Sequence, residues 1–234
     1  MKDLFGKALL DFQNGNYTED IITSTSISDE DELPIPYLFR SYNEMPKLEQ
    51  KALQLTQGRT LDVGCGAGGH SLYLQDKGIY IKAIDISKGA IEVVKQRGVL
   101  QAEVKDILDE TETFDTILLL MNGTGIFQEA SQVSKYLTHL KSLLNPNGQI
   151  LIDSSDIKYM YEDEEDGGFW IDTNAEYYGE LDYFLTYKGE EEDAMKWLYL
   201  DFENLKMTCE SVGLSCELVL EGEHFDYLAR LKNK

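Results

Sequence analysis

Residues 61–70 read LDVGCGAGGH, an apolar stretch that runs into a loop with glycine at 64, 66, 68 and 69. A strand that ends in clustered glycines and then starts a helix lets something approach the backbone closely. It is a common opening unit of open α/β sheets. The rhythm after residue 59 agrees. RTLDVG reads as a strand and GGHSLYLQDKG as a helix stopped by Gly78. YIKAID is a second strand, followed by a helix with Ser87 as N-cap and Gly98 as its stop. QAEVKDI is a third strand, and FDTILLLMN a fourth, apolar enough to sit mid-sheet. EASQVSKYLTHLKSLL is a long helix, NPNG a turn and QILIDSS a fifth strand. Strands alternating with helices predict a parallel sheet covered on both faces.

The flanks break this pattern. Residues 4–14 predict a short amphipathic helix, 15–36 an irregular polar connector and 43–55 a helix ended by Gly58. Residues 157–176 predict an acidic aromatic loop. EYYGELDYFLTYKG and AMKWLYLD predict a β-hairpin, FENLKMTCESVG a helix, and two closing strands follow. The expectation is one α/β domain over 1–234 with a doubly wound, Rossmann-like, seven-stranded sheet whose last strand is antiparallel. An N-terminal helical cap (1–57) precedes the core (59–155), an inserted hairpin region (157–200) follows it, and a C-terminal helix and strand pair (201–234) closes the chain.

The 234 residues carry 43 Asp and Glu against 21 Lys and Arg, a formal net charge of −22. Such a field repels phosphate backbones, so nucleic acid is not the expected partner. The runs DEDE (29–32), EDEED (162–166) and EEED (190–193) read as solvated loops, or as a rim attracting a cationic substrate. Cys65, Cys209 and Cys216 have no metal-ligand spacing, and an odd count fits a reducing compartment. No apolar run approaches a membrane span and the first residues do not read as a signal peptide, so a cytoplasmic location is expected. Oligomeric state is not written in the sequence.

Gly64, Gly66 and Gly69 also satisfy G-x-G-x-x-G, the dinucleotide fingerprint. Asp62 decides between ligands. A pyrophosphate held ~6 Å from its carboxylate would be repelled by roughly 3 kcal/mol per unit charge at an effective dielectric of about 20. A sulfonium and an ammonium reverse the sign. D-x-G-x-G-x-G, here Asp62, Gly64, Gly66 and Gly68, resembles motif I of the class I S-adenosylmethionine-dependent methyltransferases. The order continues with Asp85 ending the second strand, Asp106 ending the third, and Met121 and Asn122 leaving the fourth. The resemblance implies that Asp85 takes the ribose hydroxyls, Asp106 the adenine amino group, and Met121 and Asn122 the methionine end. Cys65, Ile86 and Ile107 are their neighbours in the implied cofactor site.

The resemblance implies in-line transfer to an acceptor held beside the fourth strand under an aromatic cap. Candidate acceptor-side residues are Tyr37, Arg40, Gly123 and Tyr159, and similar enzymes often use the region of Tyr37 and Arg40 for the cofactor carboxylate. His224 is the one base candidate, in the turn between the last two strands. His70 reads as a helix residue, His139 as a solvent-facing one and Cys65 as a size choice without thiol chemistry. NGTGIF after the fourth strand lacks the Asn-Pro-Pro-Tyr type motif of similar amino-group methyltransferases of nucleic acids and proteins. That absence and the charge point to a small-molecule acceptor; transfer from a sulfonium requires no metal, and the sequence offers no metal-ligand cluster. The alternatives are a cofactor-binding relative without catalysis and a nicotinamide-dependent oxidoreductase.

Overall fold

The computed structural model describes residues 2–161 and 177–234. In chain order the first elements are α1 (Leu4–Gln13), β1 (Ile21–Thr25), β2 (Ser28–Leu33), α2 (Ile35–Leu38) and α3 (Lys47–Leu55). The central run is β3 (Thr60–Val63), α4 (Gly69–Asp76), β4 (Ile81–Asp85), α5 (Lys88–Gln96), β5 (Ala102–Val104), β6 (Phe114–Leu119), α6 (Val133–Ser142) and β7 (Leu144–Ser155). Then come β8 (Glu180–Tyr187), β9 (Glu190–Glu191), β10 (Met195–Leu198), α7 (Phe202–Ser211), β11 (Leu214–Glu221) and β12 (Asp226–Asn233).

The larger sheet has the order β11-β12-β7-β6-β3-β4-β5. Neighbours from β7 to β5 run parallel, and β12 runs antiparallel to β7 and β11. Its inner strands are buried on both faces, and β6 accordingly closes on an unbroken apolar run, Ile117 to Leu119. On one face Leu61, Ile117 and Ile150 meet Leu137 and Leu140 of α6 and Leu205 of α7. On the other, Leu118 and Leu151 meet Leu48, Ala52 and Leu53 of α3 and Leu74 of α4. Each such side chain is nearly or wholly buried, and burying one stabilises the fold by about 1.5–3 kcal/mol. The stops hold as expected. Ser87 accepts from Ala90 N–H at 3.0 Å, and Gly78 (φ 78°) and Gly98 (φ 98°) turn the chain left-handed after their helices.

The flanks differ from the sequence reading. Residues 15–36 are not an irregular connector, and the N-terminal cap is not helical alone. β1 and β2 pair, and β1 also pairs with β8, giving a second sheet in the order β10-β8-β1-β2, with β9 on β8. The N-terminal region and the inserted hairpin therefore form one sheet. DEDE is the exposed edge strand β2 and no loop. An edge tolerates charge because its outer side faces water. EEED is not a solvated loop either, since Glu192 is buried and accepts from the backbone N–H groups of Lys2 (2.6 Å) and Leu4 (2.7 Å). NPNG belongs to β7, which starts at Leu144 and takes an irregular register against β6. The helix expected over 43–55 is split into a 3-10 turn at Tyr42–Glu44 and α3, and Pro46 separates them. EASQVSKYLTHLKSLL likewise splits into a 3-10 turn at Ala130–Gln132 and the shorter α6. The acidic run at 162–166, with Phe169 and Trp170, lies outside the described residues.

α1 docks on α5 at two glycines. A Cβ on Gly89 would lie 2.5 Å from the Gly6 carbonyl carbon. Asp3, the N-cap of α1, accepts from Gly6 N–H at 3.1 Å and from Gly89 N–H at 2.9 Å. This brings Phe5 over the glycine loop, 3.9 Å from where a Gly66 Cβ would stand.

Candidate active site

The loop after β3 carries Gly64 (φ 69°), Gly66 (φ 51°) and Gly68 (φ 79°), all in the left-handed region. A side chain at any of them would strain the backbone. Gly64 and Cys65 donate backbone N–H groups to the Ile84 carbonyl at 2.9 and 3.1 Å, which ties the loop to the end of β4. Asp85 finishes the fastening. One carboxylate oxygen accepts from Gly66 N–H at 3.0 Å, the other from Ser87 N–H at 2.9 Å. Burial raises the Asp85 carboxyl, the two N–H donors oppose that, and the charges of Asp3 and Asp62 add to the rise. Ile86, next along the chain, is 58% exposed. Cys65 is buried, and burial pushes its thiol well up, so it has size here and no thiolate character.

Asp62 is fully buried on the α3/α4 face and accepts from Ser71 Oγ at 2.6 Å. Burial raises its carboxyl, against the pull of the His70 charge and the Ser71 bond. Beside it stands a chain of three charged side chains. His70 Nε2 lies 2.6 Å from Glu49 Oε2, and Arg40 Nη2 lies 2.5 Å from Glu49 Oε1. The side chains of Arg40 and Glu49 are 6% and 5% exposed. Burial would raise Glu49, but His70 and then Arg40 carry it below its ordinary value. Burial would lower His70, but the bond to Glu49 and the charge of Asp62 carry it above its ordinary value, which favours imidazolium. With His70 charged, the trio is net positive. Arg40 also donates to the Tyr37 carbonyl at 2.6 Å and stacks over the Tyr37 ring at 3.9 Å. Its buried Nε has no partner among the described residues.

Asp106 is exposed after β5 and accepts from Leu108 N–H at 2.8 Å, so most of its carboxylate faces outward. The Ile107 side chain packs in the core with α6. The half-buried His139 bonds the Ile107 carbonyl at 2.8 Å and does not face free solvent. Met121 is 40% exposed at the end of β6. Asn122 accepts from Ser154 Oγ at 3.0 Å and reaches the Leu198 carbonyl at 3.3 Å. Gly123 is buried and turns its N–H to Asp153 at 2.9 Å. Tyr159 is exposed and stacks on Phe225 at 5.0 Å. His224 is exposed in the neighbouring turn, its backbone N–H donating to Asp226 at 3.0 Å. Glu49, His70 and Asp153 were not among the site residues read from sequence. Their signals were present: Glu49 sits on the apolar face of α3 beside Ala52 and Leu53, and Asp153 shares the strand face of the buried Leu151.

The residues present fit an adenosine ligand with a zwitterionic tail. The glycines leave a cradle that Cβ atoms would fill, Asp85 ends the strand beside it, and the side chains of Asp62 and Arg40 are buried, Arg40 Nε without a partner among the described residues. Known proteins agree. The methyltransferase domain family model matches residues 60–148. An S-adenosylmethionine-dependent methyltransferase from Bacteroides fragilis, solved in complex with S-adenosyl-L-homocysteine, is 44% identical with a TM-score of 0.92 over 99% of this chain and 95% of its own. An uncharacterized methyltransferase of Staphylococcus carnosus is 27% identical over 198 residues, 83% of this chain and 86% of its own. Hemagglutinin 1 of Eikenella corrodens is 29% identical over 161 residues, 67% of this chain, and the chain spans about half (47%) of that protein's length. This chain belongs to the S-adenosylmethionine-dependent methyltransferases.

Proposed function

We propose that the protein binds S-adenosylmethionine in the glycine cradle and transfers its methyl group to a small-molecule acceptor. The observation that carries this reading is the meeting of three features at the carboxyl ends of β3 and β4: a left-handed glycine loop, the buried Asp62 with the half-buried Asp85, and the Arg40–Glu49–His70 chain. Bound there, the cofactor supplies a methyl group already activated by its sulfonium. Asp85 would take the ribose hydroxyls and Asp106 the adenine edge, with Ile86 and Ile107 beside them. Arg40 would turn its free N–H to the cofactor carboxylate. Asp62 would offset the cationic tail, a role it could not have beside a pyrophosphate. Met121, Asn122 and Gly123 would form the floor on which the acceptor meets the methyl group. Tyr37 and Tyr159 would wall the acceptor side, and His224, next to the Phe225 ring on which Tyr159 stacks, would be the group to take a proton. Orienting the nucleophile supplies most of what such a displacement needs.

The acidic surface and the missing Asn-Pro-Pro-Tyr type motif support a small acceptor over a nucleic acid. The test is a mass-spectrometric screen of amines, alcohols, thiols and phenols for cofactor-dependent products. A gain of one methyl by an acceptor in that panel supports the proposal. Cofactor binding without turnover across the panel would favour a non-catalytic relative.

A further inference from the structure

Where β6 ends, the chain leaves the sheet through two successive non-glycine residues in the left-handed region, Met121 (φ 66°) and Asn122 (φ 60°). Side chains rarely adopt that conformation, and it persists only where the surroundings over-determine it. Here Asp153, on the neighbouring strand β7, does so. One carboxylate oxygen accepts from Met121 N–H at 3.1 Å and the other from Gly123 N–H at 2.9 Å. Position 123 has no room for a side chain, since a Cβ on Gly123 would lie 2.6 Å from the Leu119 Cβ. Ser154 and the Leu198 carbonyl hold the Asn122 side chain between them. The turn is thus gripped at both ends by a single carboxylate, and it carries the exposed Met121 side chain at the carboxyl end of the sheet.

Asp153 is buried, and among the described residues no cationic side chain is bonded to it. Burial pushes its carboxyl up to about 7. The Gly123 and Met121 N–H groups and the charge of His70 on α4 pull it down, and Glu49 on α3 pushes it up. Tyr227 on β12 is the further titratable neighbour, and its phenol is raised in part by the Asp153 charge. Ionised, the group offers two accepting oxygens for two N–H donors. Protonated, one oxygen becomes an O–H donor and one of the two grips is lost.

We propose that Asp153 is a positioning residue of the transfer site, whose ionised carboxylate holds the Met121–Asn122 turn in the shape that turns Met121 to the methyl-transfer position. This rests on the reading that cofactor and acceptor meet at that end of the sheet.

The test is NMR of the full chain with methyl-13C methionine, the Met121 signal assigned by Met121→Leu, titrated from about pH 5.5 to 8.5 without and with S-adenosyl-L-homocysteine. The Met121 methyl signal should move with a midpoint near 7, and the Met207 signal on α7 should not. Asp153→Asn should abolish the step, and S-adenosyl-L-homocysteine should displace the Met121 signal. Should Asp153→Asn fail to fold, the wild-type Met121 and Gly123 amide signals serve instead, and both should titrate with that same midpoint. A Met121 signal flat with pH, or a step that survives in Asp153→Asn, overturns the positioning role while leaving the cofactor reading intact. Wild-type protein that does not bind S-adenosyl-L-homocysteine at all overturns the cofactor reading, and the positioning role with it.

Discussion

Arg40 concentrates the electrostatics of the site. Its guanidinium lies on Tyr37, pairs with Glu49 and keeps one buried N–H free. A buried donor without a partner costs about 1–3 kcal/mol, so a ligand that supplies an acceptor there recovers that cost. Arg40→Ala should therefore raise the S-adenosyl-L-homocysteine dissociation constant by roughly tenfold or more, since a hydrogen bond to a charged group is worth about 1.5–3 kcal/mol. Calorimetric titration reads this directly, and an unchanged affinity would remove Arg40 from the cofactor site. The glycines and Asp85 could be read from sequence because local chemistry forces them. A strand that turns left-handed into a helix needs glycine, and an acid at the next strand end lies within reach of that turn. Glu49 and Asp153 were harder to read. Each is a carboxylate whose surroundings come from other segments, and only the burial pattern of its own helix or strand marks it as facing inward.

At the scale of elements, α1 lays Phe5 beside the glycine loop, docked where Gly6 and Gly89 approach without side chains between them. Gly89→Ala forces a Cβ into the Gly6 backbone. Overpacking of this kind costs about 1–3 kcal/mol. Urea unfolding should show that loss together with weaker S-adenosyl-L-homocysteine binding, as Phe5 moves off the loop. Full stability in Gly89→Ala would mean that α1 does not dock this way. The central strands and helices were legible because their apolar residues keep one period and their ends carry Ser87, Gly78 and Gly98. β1 and β2 were not. IITSTSISDEDEL carries too little apolar alternation to read as a pair of strands, and what makes it one is β8, about 160 positions further along the chain.

The whole molecule is a mostly parallel sheet with a second sheet, built from both flanks of the core, whose β10 packs on the turn that follows β6. That partnership could not be read from sequence, since neither flank announces the other. It also changes the meaning of the charge. Two of the three acidic runs contribute strands to the cap sheet, and Glu192 within one of them accepts from the Leu4 N–H that opens α1. The net charge of −22 still argues against a polyanionic acceptor.

Whether the glycine loop holds S-adenosylmethionine or a dinucleotide is decided by thermal unfolding with S-adenosyl-L-homocysteine or with NAD. At ~100 times the dissociation constant a ligand adds about 2.7 kcal/mol of stability. For a chain of this size the midpoint should then rise on the order of 5–10 °C. That rise is expected with S-adenosyl-L-homocysteine and none with NAD. A rise with NAD alone would contradict the reading of Asp62 and the site built on it.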